Sequence, residues 1–139
     1  MISVLIDTNV ILDYAEERDV FFEAAQKVFE MITQRKVIGC VSASAVTDIF
    51  YFLQKRYKEP GIARTLLKKL IRMLDILAVD HKTIETAIDS GMEDFEDAVQ
   101  ATAAKDFGID IVVTRDKTGL TGSGLRVYSP DEFLNALER

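Results

Sequence analysis

Residues 4–9 of the chain read Val-Leu-Ile-Asp-Thr-Asn, an aliphatic run that ends in a carboxylate and two short polar side chains. Residues 2–6 show no strict alternation of polar and apolar side chains, which predicts a strand buried on both faces. An aspartate directly after such a strand is either a turn residue or a functional carboxylate at the rim of a sheet. The acids elsewhere in the chain decide between these two interpretations.

Composition restricts the class of protein. The chain has 139 residues, of which 48% are hydrophobic and 29% charged, as expected for a single domain over residues 1–139 with a proper core. No apolar stretch approaches the roughly 18 residues that span a bilayer, and no basic segment followed by an apolar one opens the chain. We therefore expect a cytoplasmic protein without membrane association. The single cysteine, Cys40, excludes an internal disulfide and is expected in the core.

The charge is unevenly distributed along the chain. The formal net charge is −6, but residues 55–72 hold seven basic side chains and one acid, Glu59. This segment therefore carries +6 and the remainder of the chain −12. The asymmetry indicates either a basic face beside an acidic pocket or two solvated helix faces.

Further aliphatic runs predict four more strands, at residues 37–41, 74–79, 109–113 and 125–128. Between them, apolar side chains recur every three or four residues, which predicts helices starting near Phe21, Val46, Ile62, Phe95 and Asp131. Strands that alternate with helices imply crossover connections and a parallel sheet covered on both faces. The predicted fold is α/β, a three-layer α/β/α sandwich with a central, mostly parallel sheet.

Five aspartates are predicted at the sheet edge where strands end, the edge at which open α/β sheets bind ligands. Asp7 follows the first strand, and Asp116 follows the strand at 109–113. Asp48 lies early in the helix after the second strand, whereas Asp94 and Asp97 flank the start of a later helix. Each has a structural explanation, such as a strand-end turn or, for Asp94, an N-cap. Their agreement on one edge favours a shared function.

Several carboxylates cannot share a small site as bare anions, because like charges raise one another's pKa. A hard divalent cation resolves the conflict, can activate water and can stabilise charge on a phosphoryl oxygen. We expect Asp7, Asp97 and Asp116 to be inner ligands, with Asp48 bound directly or through water and Asp94 as a further candidate. Nearby polar side chains are expected to orient ligands or phosphate: Thr8, Asn9, Ser42, Ser44 and Thr114.

The motifs that carry these acids resemble those of PIN-domain proteins, the ribonuclease family that includes VapC-type toxins of toxin–antitoxin pairs. Residues 5–13, Leu-Ile-Asp-Thr-Asn-Val-Ile-Leu-Asp, are similar to the family's "hhDTNhhhD" opening. Asp48 matches the second acid, and Asp97 within Asp-Phe-Glu-Asp-Ala (residues 94–98) matches the third. Residues 113–116, Val-Thr-Arg-Asp, match the strand-end motif, so the resemblance spans essentially the whole chain.

The resemblance implies a Rossmann-like PIN fold and a metal-dependent endoribonuclease that hydrolyses single-stranded RNA with Mg²⁺ or Mn²⁺. It also implies a homodimer and, in toxin members, a small antitoxin that covers the site. The catalytic residues implied are Asp7, Asp48, Asp97 and Asp116. Two departures stand out. The second acid, commonly glutamate, is here Asp48, and the Asp-Phe pair that often follows the strand-end motif is replaced by Gly119-Leu120.

RNA binding draws much of its affinity from neutralised phosphates, which an acidic pocket does not supply. The predicted RNA-binding residues are therefore basic: Lys55, Arg56, Lys68, Lys69, Arg72, Arg115 and Lys117, with Arg126 nearby. Tyr51, Phe52 and Tyr57 are expected to pack in the core, with base stacking as the alternative. His81 is assigned no catalytic role, because a metal-dependent hydrolase needs no histidine base.

Three other functions are considered. A phosphatase that uses Asp7 as a covalent nucleophile would need a second aspartate at position 9, which is Asn9. A receiver-like phospho-acceptor module would need an acidic pair after the first strand. The more serious alternative is a non-catalytic PIN-like module that binds RNA or a protein, since the acid at position 48 is shortened.

Overall fold

A computed structural model describes residues 1–138 of the chain. In this part of the chain the strands are β1 (Ile2–Ile6), β2 (Val37–Ser42), β3 (Asp75–Leu77), β4 (Ile111–Val113) and β5 (Arg126–Tyr128). The helices are α1 (Thr8–Ala15), α2 (Phe22–Thr33), α3 (Ala43–Arg56), α4 (Ile62–Met73), α5 (His81–Ile88), α6 (Phe95–Asp106) and α7 (Pro130–Leu137). A 3₁₀ turn, Thr118–Leu120, follows β4.

The strands form one sheet in the order β3-β2-β1-β4-β5, and every neighbouring pair is parallel. This confirms the predicted parallel sheet. Since all strands run in the same direction, they end at the same side, which we call the carboxyl edge. β1 and β4 are neighbours there, and the Asp7 N–H donates to the Val113 carbonyl at 3.0 Å. The segments after these two strands are thereby joined.

Helices cover both faces of the sheet, which confirms the three layers. Side chains of β1 alternate between the faces, as those of a strand must. Val4 and Ile6 pack in one core with the buried faces of α1, α2, α3, α4 and α7. Leu5 packs in the other core, mainly with α6. Cys40 lies in that second core, 2% exposed, and burial raises the pKa of its thiol to about 11, so the expectation of a core cysteine is confirmed.

The spacing of apolar residues in the sequence did not predict two of the helices, α1 and α5. α1 starts directly after β1 because the Asp7 side chain caps the Thr8 N–H, and four consecutive residues, 10–13, are buried in it. Because an unbroken run of buried residues shows no helical periodicity, the sequence pattern did not predict this helix. α5 starts at a capping box in which Asp80 and Thr83 exchange hydrogen bonds. The strand predicted at 74–79 consequently ends at Leu77.

Two of the aromatic side chains differ from expectation. Tyr51 and Phe52 were predicted to be core residues, but they are 59% and 42% exposed and contact each other edge to face. They lie on the outer side of α3, whose buried side chains are Ala45, Ile49 and Leu53. Tyr57 does pack against the core. None of the helices within residues 1–138 has the length and apolar character needed to cross a membrane.

Candidate metal centre

Asp7 anchors the site at the end of the central strand. The Thr8 N–H donates to its Oδ1 and the Thr114 hydroxyl to its Oδ2, both at 2.7 Å. Burial raises the pKa of Asp7, these two hydrogen bonds oppose the increase, and the nearby Asp116 and Asp94 add to it. The carboxylate is thus rigidly held and 9% exposed.

Thr114 and Asn9 join the two strand ends. The Thr114 hydroxyl donates to Asp7 and accepts from Asn9 Nδ2 at 3.2 Å and from the Asp116 N–H at 3.0 Å. All the hydrogen-bonding capacity of this hydroxyl is therefore used. Asn9 Oδ1 also accepts from the Arg115 N–H at 3.2 Å, which ties α1 to the segment after β4. Both residues lie where the sequence predicted supporting polar groups.

The other predicted supporting hydroxyls are placed differently. Ser42 and Ser44 are hydrogen-bonded to each other at 3.0 Å, at the end of β2. The Thr8 Oγ1 is a buried hydroxyl for which the structure of residues 1–138 offers no hydrogen-bond partner. An unsatisfied buried polar atom beside Asp7 leaves a position for a further polar group at the site.

Asp116 meets Asp97 around Gly119. The Thr118 hydroxyl and the Gly119 N–H donate to Asp116 Oδ1 at 2.8 and 3.3 Å and lower the pKa of this exposed carboxyl. A Cβ at position 119 would lie 2.9 Å from Asp97 Oδ2 and 3.0 Å from Asp116 Oδ2. Gly119 therefore leaves open a space that both carboxylates face. The departure from the family pattern noted at this position has a local geometric reason.

Asp97 lies in the first turn of α6. Burial raises its pKa to about 6, and the charges of Asp7, Asp94 and Asp116 add to the effect. Asp94 is the N-cap of α6, since its Oδ1 accepts from the Asp97 N–H at 2.9 Å. Asp7, Asp97 and Asp116 come from three distant parts of the chain, and the structure brings them within electrostatic range of one another.

Asp48 lies near a sixth acid, Glu96, which belongs to the quoted motif at residues 94–98 but was not among the predicted site residues. Hydrogen bonding to the Asp48 carboxyl, followed by burial and the charges of Asp48, Asp94 and Asp97, raises the pKa of Glu96 to about 7. The available signal was the concentration of acids at the start of α6, Glu93, Asp94, Glu96 and Asp97. The sequence did not indicate which of them would face α3.

The chemistry of these side chains fits a hard divalent cation. Asp7 and Asp97 repel each other and their neighbours, and within residues 1–138 neither they nor Asp116 form an ion pair. No three His, Cys, Asp or Glu side chains in this part of the chain are already arranged to hold an ion together. Magnesium, however, takes only one or two direct carboxylates and keeps several waters. The open space at Gly119 suits such a hydrated ion.

Residues 3–118 match the PIN domain family model. The chain belongs to the PIN-domain family. Divalent-metal dependence is general in this family, in agreement with the fit of the acidic site. Over 134 residues the chain is 27% identical to ribonuclease VapC1 of Aquifex aeolicus (strain VF5), covering 93% of this chain and 86% of that protein.

Solved PIN-domain structures share the fold at low sequence identity. The Mycobacterium tuberculosis toxin VapC20, described as cleaving the sarcin-ricin loop, superposes with a TM-score of 0.69 at 14% identity, over 88% of this chain and 98% of that one. A toxin–antitoxin complex from Klebsiella pneumoniae gives a TM-score of 0.65 at 18% identity, over 91% of this chain and 97% of that one. These likenesses concern the fold.

Arg115, one of the predicted RNA-binding residues of this PIN domain, forms an ion pair with a buried carboxylate. Its Nε and Nη2 donate to the two carboxylate oxygens of Asp13, which is 1% exposed, the latter bond measuring 3.1 Å. Arg18 Nη1 lies 3.5 Å from the same carboxylate, and the Arg115 guanidinium stacks 3.8 Å above the Phe21 ring. Arg115 therefore ties the segment that carries Asp116 to α1, and its role in RNA binding stays a prediction.

The other predicted RNA-binding residues of this PIN domain are dispersed. Lys117 is paired with Glu132 at 2.9 Å, and Arg72 lines a groove with Met1 and Val37 where the strands begin, opposite the acids. Lys68 lines a groove between α3 and α4 that includes Thr47, next to Asp48. The remaining cations are exposed on the same two helices: Lys55, Arg56 and Lys69. The basic segment thus forms an outer surface, of which only part adjoins the site.

Proposed function

We propose that this PIN-domain protein is a divalent-metal-dependent endoribonuclease that hydrolyses phosphodiester bonds of single-stranded RNA. The observation that carries the proposal is that Asp97 and Asp116 meet beside Gly119, within electrostatic range of Asp7, while none of the three forms an ion pair within residues 1–138. The 27% identical relative from Aquifex aeolicus, named as a ribonuclease, supports the same activity. The ion required is Mg²⁺ or Mn²⁺, both of which accept oxygen ligands.

Hydrogen bonds within the protein hold each of the three acids or the turn that carries it. Thr8 and Thr114 fix Asp7 by hydrogen bonds, Asp94 fixes the helix turn that carries Asp97, and Thr118 orients Asp116. A bound divalent ion supplies electrostatic stabilisation of the phosphoryl oxygens and lowers the pKa of water. Asp48 and Glu96 extend the acidic surface towards α3.

A groove beside the acids provides room for an RNA strand. It has a volume of about 470 Å³ and is lined by residues 90–94 together with Thr118, Gly119, Thr121 and Gly122. Gly91, Gly119 and Gly122 lack side chains, so a sugar-phosphate backbone can approach the main chain closely. Exposed cations on α3 and α4, Lys55, Arg56, Lys68 and Lys69, are placed to neutralise phosphates further from the cleavage point.

We further propose that the protein is the toxin of a toxin–antitoxin pair, acts as a homodimer, and is covered at its site by a small antitoxin. The support is the fold shared with a chain of the toxin–antitoxin complex from Klebsiella pneumoniae. Light scattering of the purified chain measures the dimer, and co-expression with a small adjacent reading frame tests the antitoxin.

The deciding experiment is cleavage of a mixed single-stranded RNA pool with Mn²⁺, Mg²⁺ or a chelator. We expect cleavage with either ion, none with the chelator, and loss of cleavage in Asp7→Asn and Asp97→Asn. Absence of cleavage by folded wild type that binds metal would instead support the non-catalytic binding module. Cleavage that survives both substitutions would place the active site elsewhere or reveal a contaminating nuclease.

A further inference from the structure

The Phe21 side chain lies at the end of the loop between α1 and α2 and is 42% exposed. One face of its ring carries the Arg115 guanidinium, whose Cζ lies 3.8 Å from the ring centroid. Within residues 1–138 no aromatic side chain stacks on this ring. An exposed ring with a cation on one face offers a nucleobase a surface for stacking.

The loop holds Phe21 in a fixed position. Arg18 Nε donates to Glu16 at 3.0 Å, and Arg18 Nη1 lies 3.5 Å from the buried Asp13 carboxylate. Val20 has a left-handed φ of 71°, which a β-branched residue rarely adopts. Its side chain is 90% exposed, so packing of that side chain does not offset the strain. The ion pairs of Arg18 therefore keep the loop in a conformation that presents the Phe21 ring to solvent.

Arg115 connects this ring to the acids. Its backbone N–H donates to Asn9 beside Asp7, whereas its guanidinium reaches Asp13 at the other end of α1. Positions 7 and 13 are six residues apart, which is about 9 Å along a helix that rises 1.5 Å per residue. Phe21 therefore lies on the order of 10 Å from Asp7, within reach of a nucleotide that flanks the cleaved bond.

The groove beside the acids and the Phe21 ring belong to different layers of the sandwich. The groove includes the start of α6, which packs with Leu5 on one face of the sheet. Phe21 follows α1, which packs with Ile6 on the other face. An RNA strand that leaves the groove and crosses the carboxyl edge therefore passes the acids before it meets this ring. The exposed charges of the loop are acidic, Glu17 and Asp19, so the position suits an uncharged base better than a phosphate.

We propose that Phe21 is a base-binding residue: a nucleobase that flanks the cleaved phosphodiester stacks on the ring, and Arg115 supports the opposite face. The inference rests on the proposed endoribonuclease and adds a binding position to it. Because stacking accepts every base, the position contributes affinity without selecting one base. It also fixes where the strand lies relative to Asp116, since Arg115 and Asp116 are adjacent in the chain.

The test is binding of a labelled pool of short single-stranded RNA, measured by fluorescence anisotropy with Mn²⁺ present. The parent protein is the full chain with Asp97→Asn, which keeps the RNA intact. Adding Phe21→Ala should weaken binding about tenfold, Phe21→Leu should weaken it as much because leucine does not stack, and Phe21→Tyr should retain it. A strand of abasic ribose phosphates is the second probe, and Phe21→Ala should not change its binding. Phe107→Ala is the matched control, since it removes a ring that is 56% exposed at the far end of α6.

Unchanged RNA affinity in Phe21→Ala would overturn the proposal, as would equal losses in Phe21→Ala and Phe107→Ala. A loss that extends to the abasic strand would assign Phe21 a structural role instead. Normal RNA binding together with lost binding of the product of an adjacent small reading frame would make the ring a protein contact.

Cleavage assays without the Asp97→Asn substitution separate this proposal from the nuclease assignment. If RNA is bound through Phe21 but wild type never cleaves it, the nuclease assignment fails alone. If cleavage is metal-dependent and indifferent to Phe21→Ala, the base-binding assignment fails alone. Absence of both RNA binding and cleavage would overturn the two together.

Discussion

Asp7 and Asp13 lie at opposite ends of one short helix and are both buried, 9% and 1% exposed, yet their surroundings differ. Asp13 receives two hydrogen bonds from the Arg115 guanidinium and lies 3.5 Å from Arg18. Asp7 receives a hydroxyl and a backbone N–H, and its charged neighbours are other acids. A buried carboxylate is costly unless a cation accompanies it. The fold supplies that cation for Asp13, whereas for Asp7 the proposed divalent ion would supply it.

The largest expected effect follows from removing the charge of an acid near Asp7, where no basic side chain is paired with the carboxylates. Asp97→Asn should lower RNA cleavage about a thousandfold, or roughly 4 kcal/mol in activation free energy, while leaving the melting temperature unchanged or raised. The stability is retained because a repelled carboxylate becomes neutral. Parallel cleavage and calorimetry measurements check both halves, with the exposed Asp131→Asn as control. A strongly destabilised Asp97→Asn protein would contradict the comparison.

The opposite result is expected at Asp13, whose charge is paired with Arg115. Arg115→Met should lower the free energy of unfolding by about 3 kcal/mol, because Asp13 is left buried with only the more distant Arg18. Denaturant unfolding measures this change. Arg126→Met is the matched control: its pair with Asp110 is on the surface, so the expected change is below about 1 kcal/mol. Similar losses in both variants would mean that burial is not what distinguishes the pairs.

A smaller effect is expected from filling the space at Gly119. An alanine there would bring a methyl group against Asp97 Oδ2 and Asp116 Oδ2, so Mn²⁺ affinity should fall about tenfold. Stability should change little, since the backbone at this glycine needs no positive φ. Calorimetric titration compares Gly119→Ala with Thr121→Ala, an exposed position on the same turn. Equal affinities would show that the ion does not use this space.

The smallest effect is a pH dependence of the metal-free protein. The pKa of Asp97 is about 6 in the folded protein and 3.8 ordinarily, and that of Glu96 is raised to about 7. Raised carboxylate values mean that the folded state binds more protons than the unfolded state, so stability rises as the pH falls through them. Solvent screening reduces the effect of these partly exposed groups, so the melting temperature should increase by only about 2–4 °C when the pH is lowered from roughly 7.5 to 5. Scanning calorimetry with a chelator present measures it.

Saturating Mn²⁺ should reverse that trend, because the cation stabilises the ionised carboxylates that protons would otherwise neutralise. Asp97→Asn is expected to reduce the pH dependence of the metal-free protein. A melting temperature that falls on acidification over this range, in the absence of metal, would contradict the assigned direction. It would mean that carboxyl groups with lowered pKa values, such as Asp116, determine the pH dependence of stability even at pH values where these groups are ordinarily ionised.

Much of the sheet and the acids after its strands could be predicted from sequence, because a strand buried on both faces leaves an aliphatic run and a parallel sheet has one carboxyl edge. Helix α1 could not be predicted, since Val10, Ile11 and Leu12 continue the aliphatic pattern of the strand. Its start depends on a single N-cap residue, Asp7. Glu96 was missed because its contact with Asp48 depends on how α3 packs against α6. The pairing of Arg115 with Asp13 could not be predicted either, because the charge of a residue in a sequence does not reveal its partner.

The order of the strands has a consequence for how the protein is made. The central strand β1 is synthesised first, but its neighbour β4 and the acid that follows it arrive only after residue 110. A nascent chain shorter than this holds Asp7 without Asp116 and with one side of β1 unpaired. The site that joins Asp7 to Asp116 therefore cannot assemble until β4 and the segment after it have left the ribosome. For the proposed toxin, translation itself would delay activity until this late strand has been made.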